Sequence, residues 1–331
     1  QILKDWCNVK NVGIFSHDSD LDGIFSASIG LIRYPQARTF FIDYGAENFK
    51  KMANFINSDH QFSDDKGLII ISDLGLNDNV TDICKRMFNE AKAKDWKIIW
   101  VDHHPWSQYS IDSIKPFAEI VLDNSGRKCA AELMYETFLP GHRIAANLAS
   151  IAHTMDFFTK DQYLTPISEL IRYYHNFDDL STRLSNLALK SSLGILWDIE
   201  MQDEYNNYVL LRDKAKEKVL SAMHVLNVKD FKVAFIQSSP YLQTSLFSEE
   251  VFERTQADLA MFYSGEGKVS IRRNTERISC KEIAEALPEG GGHKYAAGAI
   301  FHSNPTDDDA IITELKDAIS KAIEKNPNTS Q

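Results

Sequence analysis

IFSHDSDLDGIFSA, residues 14–27, sets one histidine and three aspartates into six consecutive positions directly after an apolar run. A single Asp at the end of a buried strand is an ordinary turn or helix cap, accepting the orphan N–H groups of a first helical turn. Three aspartates beside His17 and ahead of Gly23 bring too many like charges together for a cap unless cations offset them.

The same chemistry recurs at the ends of other strands. From the start to about residue 125, NVGIFSH (11–17), ARTFFID (37–43), GLIIISD (67–73), KIIWVD (97–102) and AEIVLDN (118–124) alternate with helical stretches such as NVTDICKRMFNEAKAKD (79–95). Continuous apolar strands alternating with helices predict a parallel sheet covered on both faces. Ligands of such sheets bind at the carboxyl ends of the strands. There the first strand delivers His17, Asp18, Asp20 and Asp22, the third Asp73, and the fourth Asp102, His103 and His104.

Beyond residue 128 the pattern becomes helical: KCAAELMYETFL, RIAANLASIAHTMDFF, DQYLTPISELIRYYHNF and LSNLALKSSLGILWDI. Asp156 interrupts an apolar helix face, where a carboxylate needs a strong partner. MQDEYNNYVLLRDKAKEKVLSAMHVL (201–226) is expected to be a charged connector helix, after which a smaller α/β domain follows. The expected divisions are 1–200, 201–226 and 227–331, with a cleft between the outer two.

The chain has 331 residues, 44% apolar and 25% charged, the composition of a soluble globular protein of two domains. It holds no apolar run of membrane-spanning length and no basic-then-apolar leader, so the expected location is the cytoplasm, with no membrane partner. Cys7, Cys84, Cys129 and Cys280 are far apart and read as reduced, mostly buried thiols rather than a zinc knuckle or a disulfide framework. A formal net charge of −11 argues against general electrostatic binding of long duplex nucleic acid and leaves room for a small anionic substrate handled by metal ions.

Taken in order, HDSDLDG, ISD at Asp73, VDHHP, Asp156, GEGKVSIRRN and GGGHKYAAGA resemble the DHH phosphoesterase family with its DHH-associated C-terminal domain, which includes RecJ-like exonucleases, nanoRNases and cyclic-dinucleotide phosphodiesterases. The resemblance covers nearly the whole chain. It implies two divalent metal ions, manganese being expected. His17 and Asp20 would bind one, Asp22, His103 and Asp156 the other, and Asp73 would bridge them. An oxygen-rich donor set with a few imidazoles suits that metal. Asp102 would orient an imidazole, and His104 would face the scissile phosphate as a donor to developing charge. Asp18 is expected to lie behind the ligands or to face solvent.

In the second domain Gly290, Gly291 and Gly292 would let backbone N–H groups approach a phosphate or base, with His293 beside them. Lys268, Arg272 and Arg273 would form a local basic patch. Trp100, Trp106 and Trp197 read as packing residues, with Trp106 near enough to the DHH segment to line a cleft. The expected activity is metal-dependent hydrolysis of short single-stranded RNA or DNA oligonucleotides to mononucleotides, by an exonuclease or nanoRNase. A cyclic-dinucleotide phosphodiesterase and a 3′-phosphoadenosine 5′-phosphate phosphatase are the alternatives within the same chemistry. A non-catalytic scaffold in a replication or repair assembly is the alternative of another class, and the reading leaves room for a homodimer or a protein partner in that setting.

Overall fold

The computed structural model describes residues 9–58, 67–157 and 165–325. The chain divides into two compact units, residues 1–205 and 206–331. Cys7 and the NPNTSQ tail, expected to fray, lie outside the described residues.

In the first unit β1 (Asn11–His17), α1 (Leu21–Arg33), β2 (Arg38–Ile42), α2 (Ala46–Ser58), β3 (Gly67–Ser72), α3 (Asp78–Ala93), β4 (Lys97–Asp102), α4 (Gln108–Ile114) and β5 (Glu119–Leu122) follow one another. The strands form a five-stranded sheet in the order β2-β1-β3-β4-β5, with every pair parallel. In that order β1 feeds β2 on one side and β3 lies on the other, so the carboxyl ends of β1 and β3 flank the topological switch point, where such sheets take their ligands.

Four helices complete this layer: α5 (Ala130–Phe138), α6 (Arg143–Asp156), α7 (Thr165–Tyr174) and α8 (Leu180–Ser192). The central strands are covered on both faces, which is why β3 reads GLIIIS with every residue buried, while the edge strands β2 and β5 are mostly half-buried. On one face Phe15, Ile69, Ile71 and Trp100 pack with Phe49, Val80, Cys84 and Phe88 of α2 and α3. Burying each such side chain contributes about 1.5–3 kcal/mol relative to exposure. On the other face lies α1, whose residues Leu21 to Leu31 are all buried, so its LDGIFSASIGL run is apolar or small nearly all round.

Helix α9 (Ile199–Ala222) spans the division between the units. It stops four residues short of the expected end: His224–Val228 form strand β6, antiparallel to β7 (Phe231–Gln237). Pairing HVLNV with a buried strand outweighs the weak helical preference of this segment.

The second unit continues with α10 (Thr244–Thr255), β8 (Leu259–Tyr263), β9 (Lys268–Arg273), α11 (Cys280–Glu285), β10 (Gly291–Gly292), β11 (Ala296–Ile300) and α12 (Asp308–Lys325). Its sheet runs β10-β11-β9-β8-β7-β6, with only β7 and β8 parallel. Helices α11 and α12 cover one face and α10 the other. Cys84, Cys129 and Cys280 are buried free thiols. Among the described residues no helix is long and apolar enough to cross a membrane.

Candidate metal centre

The carboxyl edge of the parallel sheet gathers acids and imidazoles for a local reason at each strand. His17 ends β1; Asp20 then caps α1, its carboxylate accepting the Gly23 N–H at 3.1 Å, which places Asp22 in the first helical turn. Gly23 is required there, because a Cβ at this position would lie 2.2 Å from the His17 carbonyl oxygen. Asp73 follows β3 with φ of +55°, a left-handed conformation that Asp tolerates better than most residues. Asp102 ends β4, ahead of His103 and His104, and Asp156 is the last residue of α6.

Among the described residues four overlapping groups of potential ligand atoms result, each with its atoms within 4.8 Å of one another: the two made of the expected ligands, His17–Asp20–Asp73 and Asp22–His103–Asp156, and beside them Asp73–His103–His104 and His17–Asp18–Asp43. His17 Nδ1 lies 3.0 Å from Asp20 Oδ2 and 3.6 Å from Asp73 Oδ2. His103 Nε2 lies 3.3 Å from Asp73 Oδ1 and 3.5 Å from Asp22 Oδ2, and His103 Nδ1 is 3.7 Å from Asp156 Oδ2. Asp73 therefore faces both groups. Asp22 is buried and each of its oxygens accepts a backbone N–H from the start of α5, Ala130 and Ala131, both at 2.7 Å. A helix N-terminus offsets that carboxylate charge.

Divalent cations suit this arrangement. His17 Nδ1 and Asp73 Oδ2 are buried beside opposite charges but make no well-aligned hydrogen bond, a costly state for polar atoms unless something further binds them. Oxygen donors with two imidazoles match a hard or borderline divalent ion. Without cations the carboxylates hold protons on the imidazoles. Burial opposes charge on His17, but Asp20 and Asp73 outweigh it and raise its pKa to about 11. Burial likewise opposes charge on His103, yet Asp73, Asp22 and Asp156 raise it to about 9. Burial and the neighbouring Asp73 push Asp22 well up, and burial raises Asp156.

These directions fix a sign. Above the ordinary imidazole pKa of 6.5 the metal-free folded protein binds more protons than the unfolded chain, so its stability falls as pH rises. The His103 contribution is complete below about 6.5 and is lost through about 9, and that of His17 persists to about 11. A cation must displace those protons, so its binding strengthens over the same interval. With chelator present, the thermal midpoint is expected to fall from pH 6.5 to 9, while the gain on adding Mn²⁺ grows. A gain independent of pH would show that protons and cations do not compete here.

Next to these groups runs a hydrogen-bonded chain. Trp106 Nε1 donates to Asp102 Oδ2 at 2.6 Å, Asp102 Oδ1 holds His104 Nδ1 at 2.8 Å, and His104 Nε2 lies 3.1 Å from the Tyr44 hydroxyl. Asp102 is fully buried, so both oxygens need these partners. Trp106→Phe keeps an aromatic ring against Trp100 but removes the pyrrole half with its donor and strands one oxygen, and is expected to lower unfolding free energy by about 1–3 kcal/mol in urea titration. An unchanged midpoint would mean that the indole does not hold Asp102.

Tyr44 was not anticipated from the sequence. It follows β2 with Asp43, whose Oδ1 is 3.6 Å from His17 Nε2, so reading strand ends at FID as well as at the other three strands would have found both. Trp106 was expected to pack and does, but it also donates to Asp102. Asp18 is buried, accepts the Ser19 hydroxyl, has its carbonyl oxygen 3.0 Å from His175 Nε2, and forms a further group of potential ligand atoms with His17 and Asp43. His153 pairs with Glu132 at 2.7 Å.

In the second unit the expected basic patch is divided. Lys268 and Arg272 share one face of β9, whereas Arg273 shares the face of buried Val269 and Ile271 and donates to the Ile278 carbonyl at 2.9 Å. Period-two alternation forces that separation. Gly290 and Gly292 meet packing demands: a Cβ on Gly290 would lie 1.7 Å from the Ala284 carbonyl oxygen, and Gly292 has φ of +133°. Gly291 and Gly292 pair with β11, and His293 is exposed, stacked on Tyr295 with ring centroids 5.4 Å apart.

Residues 11–158 match the family model described as DHH family, N-terminal domain. A 3′,5′-cyclic-nucleotide phosphodiesterase from Helicobacter pylori is 23% identical over 324 aligned positions, covering 84% of this chain and 90% of that protein. Among solved structures, the exonuclease RecJ bound to manganese aligns with a TM-score of 0.55 at 15% identity, over 94% of this chain and 90% of that one. An exopolyphosphatase-related protein from Bacteroides fragilis aligns with a TM-score of 0.50 at 16% identity, over 97% of this chain and 94% of that one. At such identities the two structural likenesses bear on the fold.

Proposed function

We propose, from the match of residues 11–158 to the DHH family N-terminal domain, that the first unit hydrolyses phosphodiester bonds of small nucleotides with the help of two divalent cations. The observation that carries this reading is the placing of two donor groups side by side at the switch point of the sheet, with Asp73 a member of one and 3.3 Å from His103 of the other. His17, Asp20 and Asp73 would hold one cation, and Asp73, Asp22, His103 and Asp156 the other. When bound, the ions would activate a water and offset charge on the phosphoryl oxygens.

The chain's own residues do the remaining work in this reading. Asp73, held in its left-handed turn, fixes the separation of the two groups. The start of α5 orients Asp22, each of whose oxygens accepts one of its N–H groups. Asp102 aims His104, which stabilises charge developing on the phosphoryl group. Manganese is the proposed ion, supported by the oxygen and imidazole donor set and by the manganese bound in the RecJ relative.

Short single-stranded oligonucleotides are the proposed substrates, because a formal net charge of −11 opposes the general electrostatic attraction that duplex binding demands. The Helicobacter pylori relative favours a second reading, in which a cyclic nucleotide is opened by the same groups. Turnover of labelled di- to pentanucleotides, 3′,5′-cyclic AMP, cyclic dinucleotides and 3′-phosphoadenosine 5′-phosphate with Mn²⁺ discriminates among them. Stepwise release of mononucleotides supports the first reading, and preferred opening of the cyclic monophosphate supports the second. No hydrolysis of any diester would overturn both.

A further inference from the structure

Resting on the two-cation reading above, we propose that Glu132 is a positioning residue for the Asp22–His103–Asp156 group, one of its carboxylate oxygens fixing both acids from behind. Asp22 belongs to α1, yet its two oxygens accept the N–H groups of Ala130 and Ala131, each at 2.7 Å, so it serves as a cap of α5. The N–H of Cys129, the residue before them, goes instead to Glu132 Oε2 at 2.9 Å, as in a capping box. Glu132 thus sets the angle at which the chain enters α5, and with it the direction in which the next two N–H groups meet Asp22. Cys129 is fully buried, so without this acceptor its N–H is stranded and the first turn of α5 has to shift.

The same oxygen reaches a second helix. His153 Nδ1 lies 2.7 Å from Glu132 Oε2, and His153 stands three residues before Asp156, on the same side of the last turn of α6. A neutral imidazole carrying its proton on Nδ1 suffices for that bond. Asp22 and Asp156 come together beside His103, at 3.5 Å from its Nε2 and 3.7 Å from its Nδ1. Glu132 therefore joins the helix start that orients one acid to the helix end that carries the other. The members of the His17–Asp20–Asp73 group stand on β1, before α1 and after β3, and among the described residues none of them pairs with Glu132. Loss of Glu132 is thus expected to loosen one group and spare the other.

The test titrates Mn²⁺ calorimetrically into chelator-stripped protein, a readout that needs no turnover. Wild type is expected to bind two ions. Glu132→Ala should keep one at wild-type affinity and hold the other about 10–100-fold more weakly. Glu132→Gln, whose amide oxygen can accept from both Cys129 and His153, should stay near wild type, which separates positioning from charge. Unchanged affinity for both ions in Glu132→Ala, equal weakening of both, or a loss in Glu132→Gln as large as in Glu132→Ala would overturn the proposal. Should Glu132→Ala not fold, His153→Ala takes its place, because it leaves the Glu132 bond to Cys129 intact. It should weaken one ion by about tenfold; two ions held at wild-type affinity, or both weakened alike, overturn the proposal. Fewer than two ions in the wild type overturns the two-cation reading and this proposal with it. If the wild type binds two ions but hydrolyses no diester, only the phosphodiesterase reading fails, and the titrations still decide the role of Glu132.

Discussion

Asp73→Asn is expected to lower kcat/KM on any hydrolysed phosphodiester by at least about 10³-fold, the equivalent of about 4 kcal/mol of transition-state stabilisation. The same substitution should leave the metal-free protein folded, because the support Asp73 gives to the charged His17 and His103 is lost while its repulsion of Asp22 is relieved. Asn is nearly isosteric with Asp and adopts the left-handed backbone at φ +55° about as readily, so the turn after β3 survives. What disappears is the one carboxylate that faces both donor groups, 3.6 Å from His17 Nδ1 and 3.3 Å from His103 Nε2. Its removal also relieves the like charge that pushes Asp22 up. Steady-state kinetics with Mn²⁺ and thermal melts in chelator, taken together, separate these effects. Activity within tenfold of wild type would remove Asp73 from the centre of the mechanism.

Gly23→Ala should be nearly as damaging, for a steric reason. The new methyl would lie 2.2 Å from the His17 carbonyl oxygen and 2.8 Å from His17 C and Cβ, atoms that cannot rotate aside. Ser16 Oγ donates to the Gly23 carbonyl at 2.7 Å, so strand end and helix start are also tied together. Relief requires α1 to move away from β1, and α1 is buried along Leu21 to Leu31. Overpacking of this kind costs about 1–3 kcal/mol or more, and it displaces His17, Asp20 and Asp22 together. Urea unfolding should show the loss of stability, and the thermal gain from Mn²⁺ should shrink sharply. A variant with wild-type stability and an unchanged gain would show that the approach of α1 to His17 is not needed.

Much of the first unit was legible because its strands are buried on both faces and so appear as unbroken apolar runs with acidic ends. NVGIFSH and KIIWVD begin and end as strands where the sequence alone predicts. The gathering of His17, Asp20, Asp22, Asp73 and His103 followed from where parallel strands terminate. Tyr44 was missed because a tyrosine after a strand carries no charge pattern, and Trp106 because the need of a buried carboxylate for a donor cannot be seen from the indole's side. In the second unit KVSIRR looked like one patch until alternation sent Arg272 and Arg273 to opposite faces. HVLNV is short, and only its pairing with β7 decides that it is a strand.

The hold of α5 on Asp22 has a consequence for how the chain is made. The N–H of Ala130 that meets this carboxylate lies 108 residues further along. Domains form as units while the chain emerges from the N-terminus onward. On the ribosome, then, the acidic loop after β1 is exposed well before the helix that offsets it, and Asp156 arrives later still. The order of translation thus means that an ion bound by these groups would be held only once the layer around α1 is in place, and a half-made chain would present a loose acidic segment instead.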